Sequence, residues 1–409
     1  MPKSDEPATP PPRVVRLVVV TPSGELLGTL PPFPVATGWW PDAEPVVQAA
    51  REHHGIDVTV LRLLEVDPKL RSGGEVTYLA ETDDRPATEP WRGGLDDHPM
   101  RQSWARPGGP DSDVAWANSA LAKQHLATTG PAEQVRAWNL SSLWRMPIAT
   151  GTAWLKVVPP FFEHEGAMLE RLAGGPVPRL LAHDGPRILM PEIPGDDLYD
   201  AELPLLLLMV PLLIELQAAW IQRTDELSAL GLPDWRDRPL TEAITDVVDR
   251  TAPELSVDDR TTLVRFVEGL PDRFGALAGF GLPDTLVHGD FHPGNVRGKA
   301  EEAKSLVLLD WGDCGIGHPL LDQSAFLDRI PSPAVEPIRA LWEREWLERV
   351  PNSHPGEAGR LIAPVAAARQ AVIYRKFLDN IEPSEQPYHQ RDPADWLRRT
   401  AELVRQEDD

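Results

Sequence analysis

The chain has 409 residues, of which 42% are hydrophobic and 25% charged, and its formal net charge is −23. This length exceeds what one hydrophobic core serves, so two or three domains are expected, and the composition is that of a folded chain rather than a disordered one. One cysteine, Cys314, excludes an intramolecular disulfide framework and a multi-cysteine zinc site and suits a reducing, cytoplasmic setting, while the acidity excludes a general nucleic-acid binder and a protein of anionic membrane surfaces.

Residues 1–12 read as a disordered tail, with proline at 2, 7, 10, 11 and 12. The opening Met1-Pro2-Lys3-Ser4-Asp5-Glu6-Pro7 is polar and shows no apolar stretch behind a basic start, so no targeting segment is read there. A strand is predicted over 14–20, and Thr21-Pro22-Ser23-Gly24 signals a turn into a second strand over 25–30. Helical spacing runs over 46–54 and stops at Gly55; strands follow over 58–66 and 75–82. These segments make a small α/β unit over 13–83. Residues 84–130 are a connector rich in Pro, Gly and Asp that closes with a helix over 113–128. A strand pair over 143–146 and 153–158 turns at Thr150-Gly151, and 163–172 is helical. Beyond Leu203 most segments read as helix. The apolar run 203–214 is interrupted by Pro204 and Pro211 and bracketed by Glu202 and Glu215. A bilayer span needs roughly 20 apolar residues, so this run is a buried helix and no membrane partner is expected.

Chemistry concentrates where short apolar strands run into polar loops. One such segment is His288-Gly289-Asp290-Phe291-His292-Pro293-Gly294-Asn295; the other is Leu306-Val307-Leu308-Leu309-Asp310-Trp311-Gly312-Asp313. Two carboxylates and a carboxamide are thereby presented by strand ends. Phosphoryl transfer needs such a set: one carboxylate to orient the attacking hydroxyl, and hard oxygen ligands to hold Mg²⁺ against nucleotide phosphates. No phosphate-binding Walker loop, dinucleotide fingerprint, Gly-x-Ser-x-Gly elbow or His-Glu-x-x-His occurs in the sequence.

The pattern from His288 through Asn295, Asp310-Trp311-Gly312-Asp313 and Gly317-His318-Pro319 with Asp322 closely resembles the aminoglycoside phosphotransferase and choline kinase family over roughly residues 131–380. That resemblance implies an α+β, bilobal protein-kinase-like fold: a small β-rich lobe at 131–195 and a large helical lobe at 196–409. It implies ATP or GTP with Mg²⁺ as cofactors and a small polar molecule, cationic ones included, as hydroxyl acceptor. Family members act on aminoglycosides, choline, homoserine, macrolides and modified sugars. Residue by residue, Asp290 matches the catalytic aspartate, Asn295 and Asp310 the metal ligands, and His288 and Asp322 the supports of the loop. Lys156 looks like the third-strand lysine that pairs the nucleotide phosphates, and Glu165 like its helix partner. Glu192 and Ile193 stand at the hinge that reads the base. The phosphate-covering turn falls at Trp138-Asn139-Leu140-Ser141-Ser142, with Ser141 and Ser142 as its polar contacts; it has no glycine. Gln217 stands where relatives often carry histidine. Acidic side chains at 196–260 and 320–390, among them Asp196, Asp197 and Asp328, are expected to line the acceptor pocket.

The unit at 13–83 resembles a degenerate Nudix domain. Of the glutamates of that family's helix only Glu52 is in register, with Ala49 and His53 at two other positions, so hydrolysis of nucleoside diphosphates is not expected of it. The adjacent His53 and His54 point about 100° apart on a helix and do not chelate one ion. The rival reading is a non-catalytic, nucleotide-sensing protein on the same scaffold.

Overall fold

A computed structural model describes residues 12–300 and 302–408. The expected tail lies outside the described residues, Pro12 excepted.

The first body is a mixed sheet. Its strands are β1 (Arg13–Val20), β2 (Leu26–Thr29), β3 (Phe33–Val35), β4 (Thr59–Val66) and β5 (Gly74–Glu81), in the order β2-β1-β5-β4 with β3 paired to β1. β1 and β5 run parallel and their side chains alternate between two faces. Val15, Leu17 and Val19 meet α1 (Glu44–His54), whose Val46, Ala49 and Ala50 face the same core. Gly55 closes that helix in the left-handed region, at φ 67°. Val18, Val20 and Leu79 face the other way, where Trp91 and Leu95 of the connector cover them.

The connector helix, α2, spans Gly109–Lys123, starting earlier and ending earlier than the sequence suggests. Pro110 occupies its first turn, where a missing N–H costs nothing, and His125 adopts φ 59° just beyond the end. Ala117 and Leu121 pack on Leu155 and Leu189, so α2 backs the second sheet. That sheet has the order β6-β7-β8-β10-β9, from β6 (Glu133–Trp138), β7 (Ser141–Ile148), β8 (Gly151–Val157), β9 (Ala182–Asp184) and β10 (Arg187–Pro191). β6 is not legible in the sequence, because Glu133 to Trp138 mixes polar and apolar residues without clean alternation. Helix α3 (His164–Arg171) follows β8.

The remaining chain builds the large helical body. Its helices are α4 (Leu203–Ala219), α5 (Thr224–Ala229), α6 (Asp237–Thr251), α7 (Val257–Glu268), α8 (Leu270–Gly279), α9 (Leu321–Leu327), α10 (Ser332–Arg349), α11 (Pro355–Asp379) and α12 (Asp392–Asp408). Short strands β11 (Asp196–Asp197), β14 (Val296–Gly298) and β15 (Val307–Leu308) form one small sheet; β12 (Asp234–Trp235), β13 (Thr285–Val287) and β16 (Gly315–Gly317) form another. α4 is the apolar run with two prolines. Leu206, Met209, Val210, Leu213 and Gln217 make its buried stripe, so packing holds it despite the backbone donor missing at Pro211. Among the described residues no helix is long and apolar enough to cross a membrane.

Candidate active site

The two polar loops leave adjacent ladders. β13 is fully buried and delivers His288-Gly289-Asp290 at its end. Gly289 sits at φ 94°, and a Cβ there would lie 2.0 Å from the Asp313 carbonyl oxygen, so only glycine lets the two loops touch. Asp322, buried at the start of α9, accepts the amides of His288 (2.8 Å) and Gly289 (2.8 Å) and the carboxamide of Gln217 (2.9 Å). Glutamine at 217 therefore serves as a donor to the loop's support. From α11, Arg369 and Gln370 both donate to the Gly289 carbonyl at 3.1 Å, and Arg369 also donates to the Asp313 carbonyl at 3.2 Å.

His288 is buried, and its Nε2 lies 2.9 Å from the Leu309 carbonyl. Burial pushes its imidazole down to about 4, so it is neutral and ties one loop to the other. A second tie is the Leu309 amide donating to the Asn295 carbonyl at 2.8 Å, at the end of the β14–β15 pairing. Asn295 and Asp310 are thus neighbours. Asn295 donates from Nδ2 to the Asp290 carbonyl (2.8 Å) and to Asp290 Oδ2 (3.1 Å), while its Oδ1 accepts nothing among the described residues. Asp310 takes φ 56°, a costly backbone state for a side chain other than glycine, held here by the packed loop around it.

Lys156 on β8 reaches across the gap. Its Nζ donates to Glu165 Oε1 on α3 and to Asp310 Oδ1, both at 2.7 Å. Burial opposes the ammonium charge, but Asp310 and Glu165 outweigh it and keep Lys156 protonated. Asp290 Oδ1 pairs with Arg329 at 3.2 Å, and His292 Nε2 lies 3.5 Å from Oδ2. Burial alone would raise this carboxyl; Arg329 and His292 overcome that and hold it well below the usual range. Burial raises Asp313 to about 7 and keeps Cys314 a thiol.

These groups open onto a cavity of about 740 Å³ between the second sheet and the helical body. Lys156, Glu165, Asp290, Asn295, Asp310 and Ser141 line it. Ser142 does not: it is fully buried, and its hydroxyl accepts the Trp144 indole at 2.8 Å on the opposite face of β7. Alternation along a strand puts neighbouring serines on opposite faces, so only one of them reaches the cleft. At the hinge, the Glu192 amide is bonded to the Thr152 carbonyl (3.0 Å) and the Ile193 carbonyl to Arg297 Nε (2.9 Å). Among the described residues nothing bonds the Ile193 amide. Of the expected acidic acceptor wall, Asp197 does line the cavity, paired with Arg297 at 2.8 Å, whereas Asp328 pairs with Arg399 at 3.0 Å and Asp196 is exposed on β11, both outside the lining. The cavity wall from α11 onward carries Gln370, Ile373, Tyr374, Phe377 and His389 instead.

A profile of the phosphotransferase enzyme family matches residues 148–361, over half of the chain. The chain belongs to that family. No curated protein matches the sequence. Among solved structures, choline kinase of Streptococcus pneumoniae superposes with a TM-score of 0.52 at 14% identity, covering 72% of this chain and 99% of that one. A candidate aminoglycoside phosphotransferase of Ralstonia eutropha JMP134 gives 0.51 at 17% identity, covering 71% and 98%. At such identities the likeness is one of fold: the phosphotransferase body is shared. Within this phosphotransferase, Arg329 and Arg369 are site residues that no local motif announces, and Gln217, noted in the sequence only as a replacement of histidine, takes its role from Asp322. Each meets its partner across a large stretch of chain; for Gln217 and Arg369 the sequence cue is a polar residue inside an otherwise apolar helical segment, whereas Arg329 lies just beyond the end of α9 and carries no such cue.

Proposed function

We propose that this phosphotransferase moves the γ-phosphoryl group of ATP or GTP, with Mg²⁺, to a hydroxyl of a small-molecule acceptor. The observation that carries this is the continuous chain Glu165–Lys156–Asp310 meeting the Asp290–Asn295 pair in one cavity. Lys156 would hold the α- and β-phosphates, with Glu165 fixing its position. The oxygen donors Asn295 Oδ1 and the half-exposed Asp310 carboxylate suit a hard cation, which would supply charge neutralisation of the phosphates. Asp290 accepts the hydrogen bond of the incoming hydroxyl. The hydroxyl oxygen forms the new bond to phosphorus, the bond to the β–γ bridging oxygen breaks, and the nucleoside diphosphate leaves. A carboxylate with so low a proton affinity is a weak base, so Asp290 acts mainly by orientation and takes the proton late, as a loose transition state permits. Arg329 keeps it ionised.

Acceptor recognition is assigned to Gln370, Tyr374 and the apolar groups of α11, which do not demand a cation. The Nudix-like character of the first sheet is a reading of its sequence alone. Glu52 is exposed on α1, and His53 and His54 both pack against Phe33, at centroid distances of 5.8 Å and 5.3 Å, as cover for the core. We place the protein in a reducing compartment, where buried Cys314 stays a thiol. The test is a screen of hydroxylated acceptors, with nucleotide consumption and product phosphate both measured and Asp290→Asn as control. If calorimetry detects no Mg-dependent binding of ATP or GTP, the proposal fails before any acceptor is known.

A further inference from the structure

The proposed chemistry gives no task to the first sheet or to the segment before α12. Both are joined to the β6–β7 hairpin, whose turn at 138–142 the family resemblance places over the phosphates. On the outer edge of β6, the Gln134 carboxamide pairs with Val60 of β4, accepting its amide (2.8 Å) and donating to its carbonyl (2.7 Å). Two backbone bonds reinforce this, Ala43 N to the Val135 carbonyl (3.1 Å) and Ala137 N to the Pro41 carbonyl (3.0 Å). The first sheet thus holds β6 much as another strand would.

The hairpin turn is gripped from the other end of the chain. Asn139 is 2% exposed. Its Nδ2 donates to the Glu385 carbonyl at 3.1 Å, and its Oδ1 lies 3.0 Å from His389 Nε2. An asparagine in a turn ordinarily bonds its own neighbours; here both ends of the carboxamide reach partners 246 and 250 positions away. The His389 ring packs between Trp138 of the hairpin (5.6 Å between centroids) and Phe377 of α11 (5.4 Å).

The segment carrying these partners returns to the first sheet. Glu385 Oε1 accepts the Leu63 amide at 2.6 Å. Glu382 is bound by Arg62 at 3.2 Å and by Arg101 at 2.8 Å, with all three side chains under one-tenth exposed. Arg71 pairs with Asp392 at 3.0 Å. The ring is closed: first sheet to β6, β6 to Asn139, Asn139 to the carboxy-terminal segment, and that segment to the first sheet.

We propose that Asn139 and His389 are positioning residues for the nucleotide, and that the amino-terminal domain and the carboxy-terminal segment form a brace that fixes the hairpin at one height over the cleft. The proposal rests on the reading of this cleft as the nucleotide site. It accounts for a covering turn without glycine. Leu140 and Ser141, which line the cavity directly after Asn139, are presented by a turn held in place from outside, so their ordering does not have to be met by binding energy.

The experiment compares His389→Ala, Asn139→Ala and His389→Gln in the full chain. Expected for both alanine variants is a roughly tenfold rise in Kd and KM for Mg-nucleotide, the loss of about one hydrogen bond's preorganisation. The acceptor KM should not move in Asn139→Ala, because that variant leaves every side chain of the α11 wall and His389 in place, and its kcat should stay within about threefold. His389→Gln, which can still donate to Asn139 Oδ1, restores the affinity. Hydrogen exchange of the amides at 138–142 should accelerate in the alanine variants. Arg101→Gln loosens the brace at its far anchor and should shift nucleotide affinity the same way by a smaller factor, which keeps the test decisive if an alanine variant does not fold. Unchanged nucleotide affinity and unchanged hairpin exchange in these variants overturn the brace. Absence of nucleotide binding by the wild-type protein overturns the reading beneath it instead.

Discussion

Replacing Lys156 by methionine tests the site where stability and chemistry share one side chain. Glu165 is 3% exposed and Lys156 14%, whereas Asp310 is 58% exposed. The solvent-facing Lys156–Asp310 contact contributes about 1 kcal/mol or less to stability. Breaking the buried Lys156–Glu165 pair leaves a carboxylate in the protein interior, which costs about 3–5 kcal/mol. A loss near about 3 kcal/mol is expected after allowing for the partly open lysine. Glu165→Leu alone strands the ammonium less severely, because Asp310 still faces it. The double variant removes both charges and should lie within about 1 kcal/mol of wild type, giving a coupling of about 2–3 kcal/mol. Burial already raises the Glu165 carboxyl, and without Lys156 only the Trp311 backbone amide opposes that shift. A raised folded-state value means the penalty vanishes below the unfolded value and grows as pH rises. The Lys156→Met loss should therefore be smaller in mild acid than at alkaline pH. Urea titration followed by tryptophan fluorescence measures the stabilities, and calorimetry with Mg-nucleotide should show binding lost in all three variants. If the single losses simply add in the double variant, or Lys156→Met costs under about 1 kcal/mol, the pair is not the buried element described here.

Asp290→Asn should lower kcat by about 10²- to 10⁴-fold while leaving nucleotide affinity near wild type, read by steady-state kinetics beside calorimetry. Asp322→Asn turns an amide N–H₂ toward one of the two backbone donors it now satisfies; a loss of about 2–4 kcal/mol in urea titration is expected, with kcat falling alongside. Burial pushes Glu385 up to about 8 from an ordinary 4.5. Its stabilising contribution is complete below the unfolded value and is lost as pH rises through about 8, so wild-type stability should decline between these values more steeply than that of Glu385→Gln; parallel pH curves would contradict the assignment. Chelation of divalent cations, or Asn295→Ala, should each abolish nucleotide binding in calorimetry, whereas the urea midpoint should barely change on chelation.

Much of this protein is written locally. Apolar runs leading into Asp290 and Asp310, with Asn295 in the loop after Asp290, announce strand ends that carry oxygen-bearing side chains, because a strand's length and a loop's polarity are properties of a few consecutive residues. The helix read over the apolar run 203–214, which extends to Ala219, and the stop at Gly55 are equally local, resting on continuous apolarity and on one residue's backbone freedom. Tertiary structure decided what depends on which surfaces meet. Ser141 and Ser142 point to opposite faces by period alone, yet only the packing of β7 on α2 sets which face is the cleft. Arg329 beside Asp290, Gln217 beneath Asp322 and Asn139 against His389 join segments far apart in the chain. Side-chain period is set by neighbours in sequence, whereas ion pairs and buried hydrogen bonds are set by which polar atoms are left without water once the cores have closed.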